Sequence, residues 1–201
     1  MISSQSFKKI KPLIFFAIFL PSLLWCYQFI NGSLGVNPIE KFMDNMGKMA
    51  LRLIVLTLFI SSLSEFKNFR FFIEIRRMIG LFAFFYVSCH FLTYIVLDHF
   101  FDITFIFKDI IKRPFITFGF LSFVLLIPLV LTSPKKILKK IGYKVWKKIN
   151  YLIYPAALLS SIHFYMLVRA NKIEPAIYIF LILILFLYRL YNKVILPRLA
   201  R

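Results

Sequence analysis

Two histidines sit where histidine is costly. His90 and His163 each interrupt an uncharged apolar run, and an ionisable group inside such a run is by default a candidate for function. Neutral imidazole is a ligand for iron, copper and zinc. His90 lies past the middle of the run 78–97, and His163 past the middle of the run 149–168. If both runs are helices entering a membrane from one side, a rise of 1.5 Å per residue places the rings about 18 and 21 Å from that side. Two imidazoles at one depth on neighbouring helices can hold a haem iron from both faces, with a low-dielectric bundle around the porphyrin. Tyr86, Phe91 and Tyr94 near the first ring, and Phe164 and Tyr165 near the second, are aromatic groups able to line it. Two other readings stay open: a hydrogen-bonding contact between helices, and a copper or zinc site. A copper or zinc site draws on further ligands, and Cys89 projects about 100° away from its neighbour His90. The third histidine, His99, follows its run beside Asp98 and Asp102, where a solvated ring is expected.

The elements that must position this pair are membrane spans. The chain has 201 residues, 61% of them apolar and 17% charged, with a formal net charge of +18. Soluble domains hold roughly 45–50% apolar residues. A nucleic-acid binder could share the charge but could not keep so apolar a surface in water. Uncharged runs long enough for the roughly 30 Å hydrocarbon layer occur at 12–30, 78–97, 115–133 and 149–168. Two shorter runs extend to 49–64 and 175–191, with Arg52 and Arg189 snorkelling to an interface. The expected fold class is therefore an all-α membrane protein, a bundle of six transmembrane helices forming a single domain over 1–201.

Loop charge agrees with six spans. With that count, 18 of the 26 Lys and Arg residues fall on the side of both termini, and six of the eight acids fall on the other. The positive-inside rule then places both termini in the cytoplasm. The basic start, Lys8, Lys9 and Lys11 before an apolar run, resembles a signal peptide. The run is longer than a signal core and lacks a small-residue cleavage site, so a retained span is expected. Cys26 and Cys89 lie inside apolar runs and read as inert thiols. The longest loop is about 18 residues and no Gly-rich dinucleotide fingerprint occurs. No internal sequence repeat is read. Function must lie in the bundle or at its rims.

Several segments together carry a family resemblance. They are NGSLGVNP at 31–38, GKMAL at 47–51, RRMIGL at 76–81 leading to HFLTY at 90–94, RPF at 113–115, Ile141-Gly142, Trp146, Tyr154, and HFY at 163–165. In order and spacing, over about residues 10–195, the chain resembles the haem-binding membrane subunits of the periplasmic methionine-sulfoxide reductase system. These form the MsrQ or YedZ family, within the ferric-reductase-like transmembrane superfamily. The resemblance implies haem b, electron entry from quinol or a cytoplasmic flavin reductase, and delivery to a periplasmic molybdopterin-containing reductase that repairs oxidised methionine. It implies a bacterial inner membrane, and the composition already argues for no nucleic-acid partner. The chain itself would supply electrons and hold its partner rather than reduce methionine sulfoxide.

Members of the superfamily often carry two haems, with a second histidine on each of the third and fifth spans, roughly 20 Å along the helix from the first. Here the positions matching those second histidines hold Arg77 and Asn150, and a further family histidine position, three before Gly47, holds Asp44. Arginine has no lone pair to offer iron. One haem b at the outer pair is expected, and a second is left open. Arg77, with Arg76, is a candidate for an anionic cofactor such as the phosphate of FMN. Arg52 and Arg169, on the outer side, are candidates for haem propionates. The lysine-rich run from Lys135 to Lys148 reads as an anchor to anionic lipid. Two further functions compete with this one: a ferric reductase-type cytochrome b, and a haem-free small transporter or scaffold.

Overall fold

The computed structural model describes residues 4–63 and 73–196. The charges counted above at 64–72 and 197–201 lie outside the described residues. Among the described residues all regular structure is helical. The elements are α1 (Ser4–Ile30), α2 (Pro38–Leu63), α3 (Ile73–Thr93), α4 (Ile103–Lys112), α5 (Pro114–Leu131), α6 (Lys135–Ile141), α7 (Tyr143–Asn150), α8 (Ile153–Leu167) and α9 (Ile173–Leu190). A single wide turn, Tyr94–Asp98, prolongs α3.

Among the described residues five helices are long and apolar enough to cross a bilayer: Ile10–Ile30, Pro38–Leu63, Ile75–Asp98, Pro114–Leu131 and Ile173–Leu190. The expected fifth span, 149–168, is divided instead. Residues 149–150 finish α7, a turn follows, and α8 runs for 15 residues, about 22 Å. The second span starts at Pro38, well before the stretch 49–64 that the apolar run indicates. Asn37 and Glu40 form a reciprocal cap there: the Glu40 amide donates to Asn37 Oδ1 (3.3 Å) and the Asn37 amide side chain donates to Glu40 (2.7 Å). Pro38 occupies the first helical position, where its missing N–H is harmless.

Two further stretches expected as loops are helical. Asp102 caps α4 by accepting the Phe105 amide at 2.9 Å, and Pro114 opens α5. Between α6 and α7 the chain turns at Gly142, whose φ of +79° suits a residue without Cβ.

The helices associate as two tight pairs, α2 with α3 and α5 with α8, while α9 packs against α8 and α2. Small residues let the backbones approach, as membrane helices require: Ala83 lies in α3, and Ala156, Ala157 and Ser161 are fully buried in α8. Ser122 on α5 donates to the Ala156 carbonyl at 2.8 Å. On α1, by contrast, Leu13 and Phe16 are about two-thirds exposed, which suits contact with lipid. This helix docks through Tyr86, wholly buried on α3, which donates to the Ile18 carbonyl at 2.6 Å.

Candidate functional site

The two histidines meet. His90 on α3 and His163 on α8 have ring centres 6.2 Å apart and ring planes at 80°. Each is held by the partner helix of its own pair. His90 Nδ1 lies 2.8 Å from the Met43 carbonyl of α2, and His163 Nδ1 lies 2.6 Å from the Phe115 carbonyl of α5. A carbonyl oxygen only accepts, so each Nδ1 carries the ring proton and each Nε2 keeps its lone pair. Locking a metal-binding imidazole in this way is the usual task of an outer hydrogen bond.

One turn beyond each carbonyl stands a glycine. A Cβ added at Gly47 would lie 2.9 Å from His90 Nδ1, and one added at Gly119 would lie 2.9 Å from His163 Nδ1. A side chain at either place would displace the facing ring, so each glycine lets its helix pass against an imidazole. The site is thus built twice, each time from a carbonyl, a glycine one turn later on the same helix, and a histidine facing both from the partner helix. Sequence reasoning missed this. The signal was Gly47 and Gly119, each in an apolar helix and each followed by a histidine at nearly the same separation.

Both histidines line one cavity of about 650 Å³, within the range of cofactor pockets. Phe91, Phe120 and Phe123 form part of its apolar wall, with Phe164 near His163. Of the aromatics expected around the pair, Phe91, Tyr94 and Phe164 line this space. Tyr86 turns to α1 instead, and Tyr165 lies outside the lining with Lys172 Nζ 4.6 Å from its ring centre.

The mouth is polar. Lys48 pairs with Asp44 (3.1 Å) and Glu174 (3.5 Å) and sits over Phe164. Arg113 pairs with the buried Asp109 at 2.7 Å, and Tyr94 donates to the same carboxylate at 3.0 Å. His99 is not the solvated ring expected. Its side chain is 16% exposed and its Nε2 is 3.6 Å from Asp98 and 3.9 Å from Asp109. The turn at Phe100 and Phe101, both with positive φ, folds the chain back there.

Neither Arg52 nor Arg169 lines the cavity. Arg52 donates to Tyr178 (3.1 Å) and faces Glu174 (3.7 Å), and Arg169 is exposed beyond α8. Arg77 lies at the other end of α3, where its Nε donates to Ser133 at 2.9 Å.

The pair meets the test that a haem sets. Two imidazoles opposed across one metal ion, with metal–nitrogen bonds of ~2 Å, have ring centres roughly 6 Å apart, as these do. Among the described residues no three or more His, Cys, Asp or Glu side chains gather for a bare ion. Two side-chain ligands suffice where the cofactor supplies the remaining nitrogens itself.

Comparison with known proteins places the chain in a family. Residues 46–161, which include both glycines and His90 and stop two residues short of His163, match the family model described as ferric reductase like transmembrane component. The chain is 40% identical to the protein-methionine-sulfoxide reductase heme-binding subunit MsrQ of Herminiimonas arsenicoxydans, over 90% of this chain and 84% of that protein. It is 40% identical to the MsrQ subunit of Rhodospirillum rubrum over 82% of this chain and 79% of that one. For Caulobacter vibrioides the figures are 38%, 90% and 86%. The chain belongs to the ferric reductase like transmembrane component family and, within it, to the MsrQ heme-binding subunits of protein-methionine-sulfoxide reductase.

Proposed function

We propose that this protein is a haem b-containing electron-transfer subunit of the bacterial inner membrane. It passes electrons from quinol or a flavin donor to a periplasmic molybdopterin-containing methionine-sulfoxide reductase. The observation that carries the reading is the opposed pair, His90 and His163, each with Nδ1 bound to a carbonyl and Nε2 left as a lone pair. The relatives' names, which join heme binding to methionine-sulfoxide reductase, support the partner.

In this reading His90 and His163 would hold one haem between them. When bound, the cofactor would supply one-electron chemistry, and the protein would supply position, imidazole ligands and burial. The Met43 and Phe115 carbonyls hold both imidazoles in one tautomer and raise their donor strength. Phe91, Phe120 and Phe123 keep water from the site. Lys48 and Arg113, which do line the mouth, would meet the propionate carboxylates in place of Arg52 and Arg169. The six apolar segments cross the membrane with both termini in the cytoplasm, α8 being the short one, so the site faces the periplasm. A donor must then bridge the distance from the cytoplasmic side. Quinol dissolved in the bilayer does so, as does FMN held near Arg77.

The test is spectroscopic. The protein purified in detergent from haem-replete cells should show sharp b-type bands on dithionite reduction and about one haem per chain by pyridine haemochrome. His90→Ala and His163→Ala should each abolish the bands. A colourless wild-type preparation, or spectra indifferent to both substitutions, would overturn the assignment.

A further inference from the structure

Between the end of α3 and the start of α5 lies a helix with an outward face that no described element covers. α4 is ten residues long, about 15 Å, half of the roughly 30 Å hydrocarbon layer. Its inward side holds Ile106 and Asp109, both buried, with Ile110 and Arg113 lining the histidine cavity. The outward side is sorted into two rows, because residues four apart stack along a helix. Ile103, Phe107 and Ile111 form an apolar row, with Phe107 62% and Ile111 78% exposed. Thr104, Lys108 and Lys112 form the adjoining polar row, also exposed. Phe100 and Phe101, at the turn with positive φ, add two exposed rings beside the start of α4. The acid within α4, Asp109, turns inward, so the charge on the outward face is that of the two lysines. An apolar patch of this kind marks a contact surface.

The place of α4 in the chain says what covers this face. The apolar segment before it ends at Asp98 and the one after it begins at Pro114, so both ends of α4 stand where a span leaves the hydrocarbon. Tyr94, in the wide turn that ends the first of these segments, donates to Asp109, and His99 lies 3.9 Å from the same carboxylate. These contacts keep α4 folded back on the end of α3. A helix held at that level meets acyl chains and headgroup phosphates together. An apolar row beside a lysine row suits a helix lying in that plane, its apolar side sunk about 5–10 Å into the headgroup and acyl boundary. Lysine stems reach from such a row up to the phosphates, and the sign of their charge is complementary to phosphate.

We propose that α4 is a membrane-surface helix, and that the partner on its outward face is the phospholipid leaflet at the histidine end of the bundle. Ile103, Phe107 and Ile111, with Phe100 and Phe101, enter the acyl boundary, and Lys108 and Lys112 meet headgroup phosphates. The same helix and its C-cap present Asp109 and Arg113 to the mouth of the histidine cavity, so lipid seats one wall of that mouth. The proposal does not rest on haem at the histidine pair.

Phe107 gives the readout. The chain has two tryptophans, Trp25 and Trp146, so Phe107→Trp in a Trp25→Phe, Trp146→Phe background leaves one reporter, on the apolar row. The full chain is reconstituted in vesicles of phosphatidylcholine and phosphatidylglycerol that contain lipid brominated either near the top or near the end of its acyl chain. Shallow bromines are expected to quench the tryptophan fluorescence about twofold more than deep ones, and acrylamide in the water to quench it little. Ile103→Asn with Ile111→Asn, and separately Lys108→Glu with Lys112→Glu, should raise quenching by acrylamide about threefold. The replaced side chains are all exposed, and circular dichroism checks that each variant keeps its helices. Stronger quenching by deep bromines would put α4 inside the hydrocarbon. Free access to acrylamide without quenching by bromine would put the face in water. Shielding from both would put protein on it, a second copy or another subunit. Any of these three results, or acrylamide quenching unchanged in either variant, would overturn the proposal. None of the readings depends on bound haem, so a colourless preparation would sink the haem assignment while leaving this test intact.

Discussion

Two glycines hold the most specific information at the scale of single residues. At Gly47 and Gly119 a methyl group would lie 2.9 Å from an imidazole nitrogen, whereas at Gly80 it would meet nothing nearer than Thr57 Cγ2 at 3.8 Å. Gly47→Ala and Gly119→Ala should therefore push His90 or His163 off its carbonyl and lower haem content several-fold. Gly80→Ala should keep haem and gain slightly in helix propensity, about 1 kcal/mol or less. Pyridine haemochrome per polypeptide separates the three. That the two histidines come together was legible from their types and depth. The glycines were not, because a missing side chain shows its use only when the facing ring is in place. His99 was misread for a related reason: its partner Asp109 lies on α4, a helix that apolar runs alone do not reveal.

At the scale of elements the structure rests on two helix pairs, and the bond from Ser122 to the Ala156 carbonyl joins one of them. Ser122→Ala removes a donor but leaves the small contour, and should cost only about 0.6 kcal/mol, the average for such bonds in membranes. Ser122→Leu forces the pair apart and should cost about 1–3 kcal/mol as overpacking does, with haem lost as His163 shifts. Thermal unfolding in detergent, followed alongside the haem bands, checks both. Spans were legible here because apolar length is a direct physical demand of the bilayer. Their ends were less so. The early start of α2 depends on the Asn37–Glu40 cap, and the break before α8 falls inside an apolar run where hydropathy gives no warning. Helices α4, α6 and α7 are too short or too charged to register as spans.

Over the whole molecule the two ends differ in charge: most of the acids gather at the histidine end and most of the bases at the other. Seven exposed lysines crowd α6 and α7, while four acids rim the histidine cavity. Both termini on the lysine side is the arrangement that the positive-inside rule favours. A fluorescent protein fused to the C-terminus should light in the cytoplasm, and alkaline phosphatase at the same place should stay inactive. The opposite pattern would remove the six-span arrangement. The repeated construction of the site has one more consequence. Each helix pair owns a complete mount for its imidazole, borrowing nothing from the other pair. A gene severed between α4 and α5 should thus yield two fragments, each with its histidine already aimed. Produced alone, neither could grip iron from both faces; produced together, they should dock side by side in the membrane and turn red.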